Sequence, residues 1–299
     1  MPLHLVLIKL IRRRSDVTVG QGIQIVQDMQ PATRMFVCRK PRLGSVSPVN
    51  YADAVNAPKL DAPIVLAHGM LGLFQGLVSG ARIENYFRGI PAWMRAAGNE
   101  VLVTHVPGIG AVARRAAVLK ESICATSGRP VHIVAHSQGG LDARHMISHL
   151  GMAGRVLSLT TIGTPHRGTA IADWGVAAAD ATGLFQIVEQ TPIDTQGFLD
   201  LRSGEAAAFN ERTLDAPEVR YLSIGGECPR ERMLPALRLC HDYIAKHEGP
   251  NDGLVSLASS AWGEDCVAWA ADHSHQIGWF AGDHFDWKPH WAAMLERVR

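Results

Sequence analysis

Short apolar runs alternate along the chain with segments in which apolar residues recur every three or four positions. Runs such as APIVLAHG at 62–69 and VHIVAHS at 131–137 contain few polar residues, as is typical of strands that are buried on both faces of a sheet. The intervening segments have the spacing of helices with one apolar face. This alternation predicts an α/β fold with a mostly parallel sheet flanked by helices.

The pattern also suggests how the chain is divided. Residues 1–58 show no clear periodicity and are interpreted as an N-terminal extension, whereas residues 59–299 are interpreted as one domain. Functional groups of a parallel sheet gather on the loops at the carboxyl ends of its strands. The predicted strands span 62–69, 100–108, 131–137, 155–168 with the following loop, and 219–226, and the predicted helices span 85–98, 112–128 and 139–151.

Composition narrows the class of protein. Apolar residues make up 47% of the 299 residues and charged residues 19%, which indicates a globular chain. With a net charge of +1 the chain has no broad basic field, so we expect no nucleic-acid partner. The N-terminal apolar run is too short to span a bilayer, and its arginines follow it rather than precede it, so we expect no clean signal peptide and assign no location.

The five cysteines have no C-x-x-C spacing, and a zinc site of the usual kind is therefore not expected. A disulfide within the group Cys228, Cys240 and Cys266 is one interpretation, and reduced cysteines in the core are the other.

The stretch AHSQGG places Ser137 between a predicted strand and a predicted helix. A serine in this turn presents its hydroxyl from a strained backbone, and the residues two before and two after it must be small because strand and helix approach closely there. Gly139 meets this requirement, and Ala135 adds one methyl group where glycine is usual. We therefore expect Ser137 to be a catalytic nucleophile.

A serine nucleophile requires a base that is oriented by an acid, in the chain order Ser, Asp or Glu, His. Asp252, in the turn EGPNDGLVS, is the favoured acid, with Asp242 and Asp265 as weaker candidates. In ADHSHQIGW, His273 is the favoured base and His275 the second choice, and His284 and His290 also compete.

An oxyanion intermediate needs two backbone N–H donors. Gln138, directly after the nucleophile, would supply one N–H. Met70 would supply the other from the loop His68-Gly69-Met70 after the first strand, where the glycine lets the backbone approach closely.

Six motifs together resemble the bacterial true lipases of the Pseudomonas and Burkholderia type, over residues 62–280. The segments are PIVLAHGMLG, AHSQGG, TIGTPHRGT, LDLRSGEAAAFN, EGPNDGLVS and DHSHQIGW. The resemblance implies an α/β-hydrolase fold, residues 59–299 as the catalytic domain, and hydrolysis of acylglycerol esters, with Ser137, Asp252 and His273 as the triad. It also implies that a lipid ester is the substrate and that the protein works transiently at a lipid–water interface.

The chain departs from this family at two informative positions. Ala135 replaces the usual glycine, but small Bacillus lipases also carry alanine there. His275 stands where the family has an aspartate that helps to hold calcium, and imidazole is a poor ligand for that oxygen-preferring cation. We therefore expect no metal site and no cofactor.

Residues 170–200 lie where the family has its lid, and their apolar and acidic side chains predict either a mobile cover or a fixed amphipathic cap. Besides the lipase function, two hypotheses remain: a carboxylesterase for short-chain esters, and a non-catalytic lipid-binding protein on a hydrolase fold. The residues expected to contact substrate are His68, Gly69, Leu71, Phe74 and His136.

Overall fold

The computed structural model of the chain describes residues 56–70, 86–181, 194–280 and 285–299. Within them six strands form one sheet in which every neighbouring pair is parallel. The strands are β1 (Ile64–Ala67), β2 (Val101–Val103), β3 (Val131–His136), β4 (Val156–Ile162), β5 (Arg220–Gly226) and β6 (Asp265–Trp269). Their order across the sheet is β2-β1-β3-β4-β5-β6. The predicted α/β class and the mostly parallel sheet are confirmed.

Helices occupy most of the connections between the strands, as the alternating pattern predicts. The helices of the described residues are α1 (Ile90–Ala96), α2 (Val112–Thr126), α3 (Gln138–His149), α4 (Ala170–Ala181), α5 (Gln196–Leu199), α6 (Ser203–Arg212), α7 (Arg238–His247), α8 (Leu257–Ser260) and α9 (Trp287–Glu296).

Each face of the sheet has its own apolar core. Successive residues of a strand point to opposite faces, so Ile64 and Leu66 of β1 belong to a core that includes α1 and α9. Val65 and Ala67 of the same strand belong to the opposite core, which includes α2 and α3. Two helical layers thus enclose the sheet, and this arrangement explains why its central strands are continuous apolar runs.

Several elements differ from the sequence prediction, among them α1, β2 and β6. Helix α1 begins only at Ile90, because Gly89 has a left-handed backbone with φ of 76° and Pro91 lies in the first turn. Strand β2 ends at Val103, well before the predicted boundary at residue 108. Strand β6 was not predicted, and it adds the last parallel strand beside β5.

In the described part of the chain, no helix has the length and apolar character needed to cross a membrane. Cys228 and Cys240 are free thiols. A disulfide within the group Cys228, Cys240 and Cys266 is therefore not formed. Most of the N-terminal extension, residues 1–55, lies outside the described residues.

Candidate active site

Ser137 occupies the turn between β3 and α3 with φ of 57° and ψ of −134°. Such a backbone is strained for a residue with a side chain, and it is held from both ends. The N–H of Ser137 donates to the carbonyl of Ile162 at 2.9 Å, and its carbonyl accepts from Thr164 Oγ1 at 2.8 Å. Ser137 is also the one residue between 131 and 144 that is not buried. The turn therefore leaves the Ser137 side chain partly exposed while the residues around it are buried.

Gly139 and Ala135, the small residues on either side of Ser137, are small for different structural reasons. A Cβ at Gly139 would lie 2.8 Å from the carbonyl oxygens of both Ala67 and His68, so only glycine fits there. Ala135, in contrast, is fully buried in β3, and its methyl group belongs to the core beneath α2 and α3. The methyl group that departs from the usual motif is thus accommodated by core packing.

Asp252 and His273 meet on the loops that flank β6. His273 Nδ1 donates to Asp252 Oδ2 at 2.8 Å, and the exposed fractions of the two side chains are 1% and 0%. A second bond joins their backbones, because the N–H of His273 donates to the carbonyl of Asp252 at 2.9 Å. Since Nδ1 is bound to the carboxylate, a proton from an alcohol would have to be accepted by the other ring nitrogen, Nε2.

The Asp252 carboxylate accepts further hydrogen bonds. Its Oδ1 accepts from the backbone N–H groups of Leu254 and Val255 at 3.0 and 2.8 Å. Its Oδ2 accepts from the side-chain amide of Gln276 at 3.1 Å. These donors compensate for the burial of the charge. Sequence reasoning missed Gln276, and the only signal was a polar residue within the otherwise apolar segment 276–279.

The immediate neighbours of Ser137 reach this pair. His136 Nε2 lies 3.1 Å from the carbonyl oxygen of His273, and the centroids of the two imidazole rings are 4.4 Å apart. On the other side, Gly163 precedes the Thr164 that binds the Ser137 carbonyl. A Cβ at Gly163 would lie 3.0 Å from both Asp252 Oδ2 and His273 Nδ1. The three candidate triad residues therefore share one cluster at the carboxyl ends of β3, β5 and β6, next to Gly163 at the end of β4.

The loop after β1 passes directly against the serine. A Cβ at Gly69 would lie 2.5 Å from Ser137 Cβ and 3.1 Å from its Oγ. The carbonyl of Gly69 accepts from His68 Nδ1 at 2.8 Å. Since the carbonyl of Gly69 and the N–H of Met70 belong to one trans peptide, they point in opposite directions. His68 thereby fixes the direction of the N–H that was predicted to bind the oxyanion.

His68 itself is locked in a neutral form. Its Nε2 accepts from the N–H of Val106 at 3.3 Å, so its proton resides on Nδ1. Burial lowers the pKa of His68 to about 4, and the positive charge of Arg115 acts in the same direction. Arg115 Nη2 also donates to the carbonyl of His68 at 2.8 Å, and its Nε pairs with the buried Asp142 at 2.8 Å. The loop is therefore anchored by a buried ion pair that sequence reasoning did not find.

Two residues expected to contact substrate, His68 and His136, have fully buried side chains. Both nitrogens of the His136 ring are engaged within the protein, on Tyr86 Oη and on the carbonyl of His273. The structure thus places the two imidazoles behind the candidate site, facing its backbone. Leu71 and Phe74, the expected acyl-pocket residues, lie outside the described residues.

The competing acids and bases lie elsewhere. Asp242 pairs with Arg230 at the surface at 2.8 Å, and Asp265 pairs with Arg297. His290 Nδ1 binds the carbonyl of Asp286 at 2.8 Å. His284 is outside the described residues.

His275, at the position where the family resemblance implies a calcium-binding aspartate, is buried with its Nδ1 3.4 Å from Asp272 Oδ1. That oxygen already accepts from the N–H groups of Ser274 and His275, and Oδ2 accepts from the N–H of Leu234. A carboxylate occupied by donors beside an imidazole does not suit a cation that requires six or more oxygen ligands. Across the described ranges, no three His, Cys, Asp or Glu side chains group as ligands for one metal ion.

The predicted lid segment is described in part. Helix α4 rests on α7, where Ile171 packs with Cys240 and Ile244. Its first turn is tied down by Asp173, which accepts from Ser203 Oγ at 2.6 Å. Residues 182–193, which include the apolar positions Leu184, Phe185, Ile187 and Val188, lie outside the described residues.

Comparisons with known proteins find similarity to lipases and esterases. No protein-family model matches the chain. The chain is 28% identical over 289 residues to triacylglycerol lipase 2 of Saccharomyces cerevisiae, covering 81% of this chain and 87% of that protein. It is 35% identical over 239 residues to a triacylglycerol lipase of Vibrio cholerae, covering 68% of this chain and 74% of that protein. Among solved structures, a metagenomic carboxyl esterase superposes with a TM-score of 0.68 at 19% identity, covering 91% and 85% of the two chains, which shows a shared fold.

Proposed function

Because the chain belongs to the triacylglycerol lipases, a family with the α/β-hydrolase fold, we propose that Ser137, Asp252 and His273 are its catalytic triad. The chain is a serine ester hydrolase, as the sequence predicted. The observation that carries the triad proposal is the buried 2.8 Å bond between His273 Nδ1 and Asp252 Oδ2, beside a strained and partly exposed Ser137.

The proposed reaction begins with His273 Nε2 removing the proton of Ser137 as Oγ attacks the ester carbonyl carbon. The backbone N–H groups of Met70 and Gln138 bind the resulting oxyanion. His273 then donates the proton to the leaving alkoxide, and an acyl-serine ester remains. Water, deprotonated by the same histidine, attacks the acyl carbon and releases the fatty acid together with free Ser137. Asp252 keeps the histidine in the required tautomer and stabilises the charged imidazolium.

The proposed substrate is an acylglycerol, in keeping with the names of both sequence relatives. A preference for short soluble esters is the second candidate, and the likeness to a carboxyl esterase favours it. Hydrolysis rates on p-nitrophenyl esters of increasing acyl length separate the two. A lipase retains or gains rate on long chains that form an interface, whereas a steep fall beyond short chains would identify an esterase.

Several finer assignments are proposed with this function. We propose that the chain is a lipase of the Pseudomonas and Burkholderia type, that residues 59–299 form its catalytic domain, and that residues 170–200 carry the lid. The Asp272–His275 pair takes the place of calcium in holding the loop of the base. Treatment with EDTA is therefore expected to leave activity and melting temperature unchanged, and a large loss of either would overturn this assignment.

The triad is tested with Ser137→Ala and with a fluorophosphonate probe that labels activated serines. The variant should lose nearly all turnover and all labelling while keeping its melting temperature. Ser158→Ala is the matched control, because it also removes a serine hydroxyl. That hydroxyl contacts His132 Nδ1 at 2.8 Å near the amino ends of β3 and β4, remote from the site. Unchanged hydrolysis by Ser137→Ala would refute the triad, and a folded wild-type protein that resists the probe would favour a non-catalytic lipid-binding role.

A further inference from the structure

His136, directly before the proposed nucleophile, connects two parts of the site. Its Nδ1 lies 2.7 Å from Tyr86 Oη, and its Nε2 lies 3.1 Å from the carbonyl oxygen of His273. Tyr86 Oη in turn lies 3.2 Å from the backbone N of Gly69. A chain of three hydrogen bonds therefore runs from the loop proposed to bind the oxyanion to the loop that carries the proposed base.

The direction of each bond follows from its partners. A carbonyl oxygen only accepts, so His136 Nε2 carries a proton and donates it to His273. Burial lowers the pKa of His136 well below its usual value, and the neighbouring His273 acts in the same direction, so the ring is neutral and Nδ1 accepts. The Tyr86 hydroxyl is then the donor to Nδ1, and its oxygen accepts from the N–H of Gly69. Burial also raises the pKa of Tyr86 well above its usual value, which keeps the phenol protonated.

We propose that Tyr86 and His136 are positioning residues that hold the proposed oxyanion loop and the proposed base at a fixed separation. This inference rests on the proposed triad and oxyanion hole. Both side chains are buried, with exposed fractions of 4% and 0%, and neither touches the ester. They act only through the backbone groups that they bind.

Those backbone groups are the ones that set the geometry of the reaction. His273 has its N–H held by the carbonyl of Asp252 and its own carbonyl held by His136. Gly69 has its N–H held by Tyr86 and its carbonyl held by His68. Each loop is thus fixed on both sides of one residue, and the Tyr86–His136 link is shared between the two. A shift of about 1 Å at such a site costs about 100-fold in rate.

Tyr86→Phe removes the hydroxyl and so breaks two links of the chain. The matched control is Tyr221→Phe, since the Tyr221 hydroxyl also accepts from a backbone N–H, that of Ala216 at 3.0 Å. Tyr221 lies at the start of β5, whereas the site lies at the carboxyl ends of the strands. Both variants should lose similar thermal stability. Tyr86→Phe should lower kcat about tenfold or more with KM within about twofold, and should slow fluorophosphonate labelling, whereas Tyr221→Phe should keep the wild-type kcat.

A second pair of variants guards against misfolding. The side-chain amide of glutamine can donate from near the position of Nε2, so His136→Gln should retain more kcat than His136→Ala, with kcat counted per serine that the probe labels. A wild-type kcat in Tyr86→Phe, or equal losses in Tyr86→Phe and Tyr221→Phe, would overturn the inference. Inactivity of Ser137→Ala in the same assays would show that the proposed function stands even then.

Discussion

Gln276 donates its side-chain amide to the same oxygen of Asp252, Oδ2, that accepts the Nδ1 proton of His273, at 3.1 and 2.8 Å respectively. Asp252 is therefore held by two side chains as well as by two backbone N–H groups. Gln276 is the middle residue of the short 3-10 helix His275–Ile277, which directly follows His273 and Ser274. The same loop therefore positions the Gln276 amide and the base.

Gln276→Met should reduce kcat about tenfold, because a hydrogen bond to a charged group contributes about 1.5–3 kcal/mol and its loss lets the carboxylate move against the imidazole. KM should change little, since the amide is fully buried behind the site. Steady-state kinetics on a soluble ester measure this. The matched control is Asn99→Leu, which removes a buried side-chain amide that donates to the carbonyls of Pro58 and Met94 before the start of β2, and should leave kcat unchanged. Equal kinetics in both variants would show that Gln276 has no positioning role.

Gly163→Ala should abolish most activity. The residue has φ of 55°, and an added Cβ would lie 2.5 Å from Gln276 Oε1 and 3.0 Å from both members of the Asp252–His273 pair. Gly151→Ala is the control, because its φ of 69° imposes a similar strain but its Cβ would meet nothing within 4 Å. Thermal melts should show a loss of about 1–2 kcal/mol in the control with full activity. An active Gly163→Ala would mean that the pair tolerates displacement.

Variants of the Arg115–Asp142 pair should show separate effects on the free energy of unfolding and on kcat. Asp142→Leu alone leaves a buried guanidinium unpaired and should lower the free energy of unfolding by about 3–5 kcal/mol. The double variant with Arg115→Met should recover at least half of that loss, because no buried charge remains. The kcat of the double variant should nevertheless be below that of the wild type, because the introduced methionine cannot replace the hydrogen bond from Arg115 to the carbonyl of His68. Urea unfolding and ester hydrolysis measure the two effects, and a double variant with wild-type kcat would contradict the anchoring role.

His68 should make the fold sensitive to acid. Its pKa falls from 6.5 to about 4 on burial, so between these values the unfolded chain binds a proton that the folded protein does not. Stability is therefore fully present above pH 6.5 and is lost as the pH falls towards 4, by about 3 kcal/mol at 1.36 kcal/mol per pH unit. His68→Asn keeps a donor for the Gly69 carbonyl but does not titrate, so urea unfolding at pH 7 and pH 4 should show a loss smaller by about that amount. An identical acid loss in both proteins would assign the effect to other groups.

The sheet was predictable because its central strands are continuous apolar runs that end at glycine or polar residues. Strand β6 escaped prediction because its residues Asp265–Trp269 alternate between half-buried and buried only at the start, so they match neither a continuous apolar run nor a full alternation. Helix α1 was predicted too long because the backbone conformation of Gly89 has no signature in the apolar spacing.

The predicted triad residues were selected by motif and chain order, which are local signals. The supporting residues have no such signal, because their partners are distant in sequence. Tyr86 and His136 are 50 residues apart, and Arg115 and Asp142 are 27 apart. Likewise, a loop position indicates that His68 is near the site, but only packing decides that its ring turns inwards.

The positions of the site residues along the chain determine when the site can be completed during synthesis. The Gly69 loop follows β1 and Ser137 follows β3, whereas Asp252 lies between β5 and β6 and His273 follows β6. The contact of His136 with His273 spans 137 residues. The chain is synthesised from its N-terminus, and a domain folds as a unit. A nascent or truncated chain that ends before β6 would contain the serine but not the base that activates it. Such a chain would be inert towards cellular esters until its last strand docks.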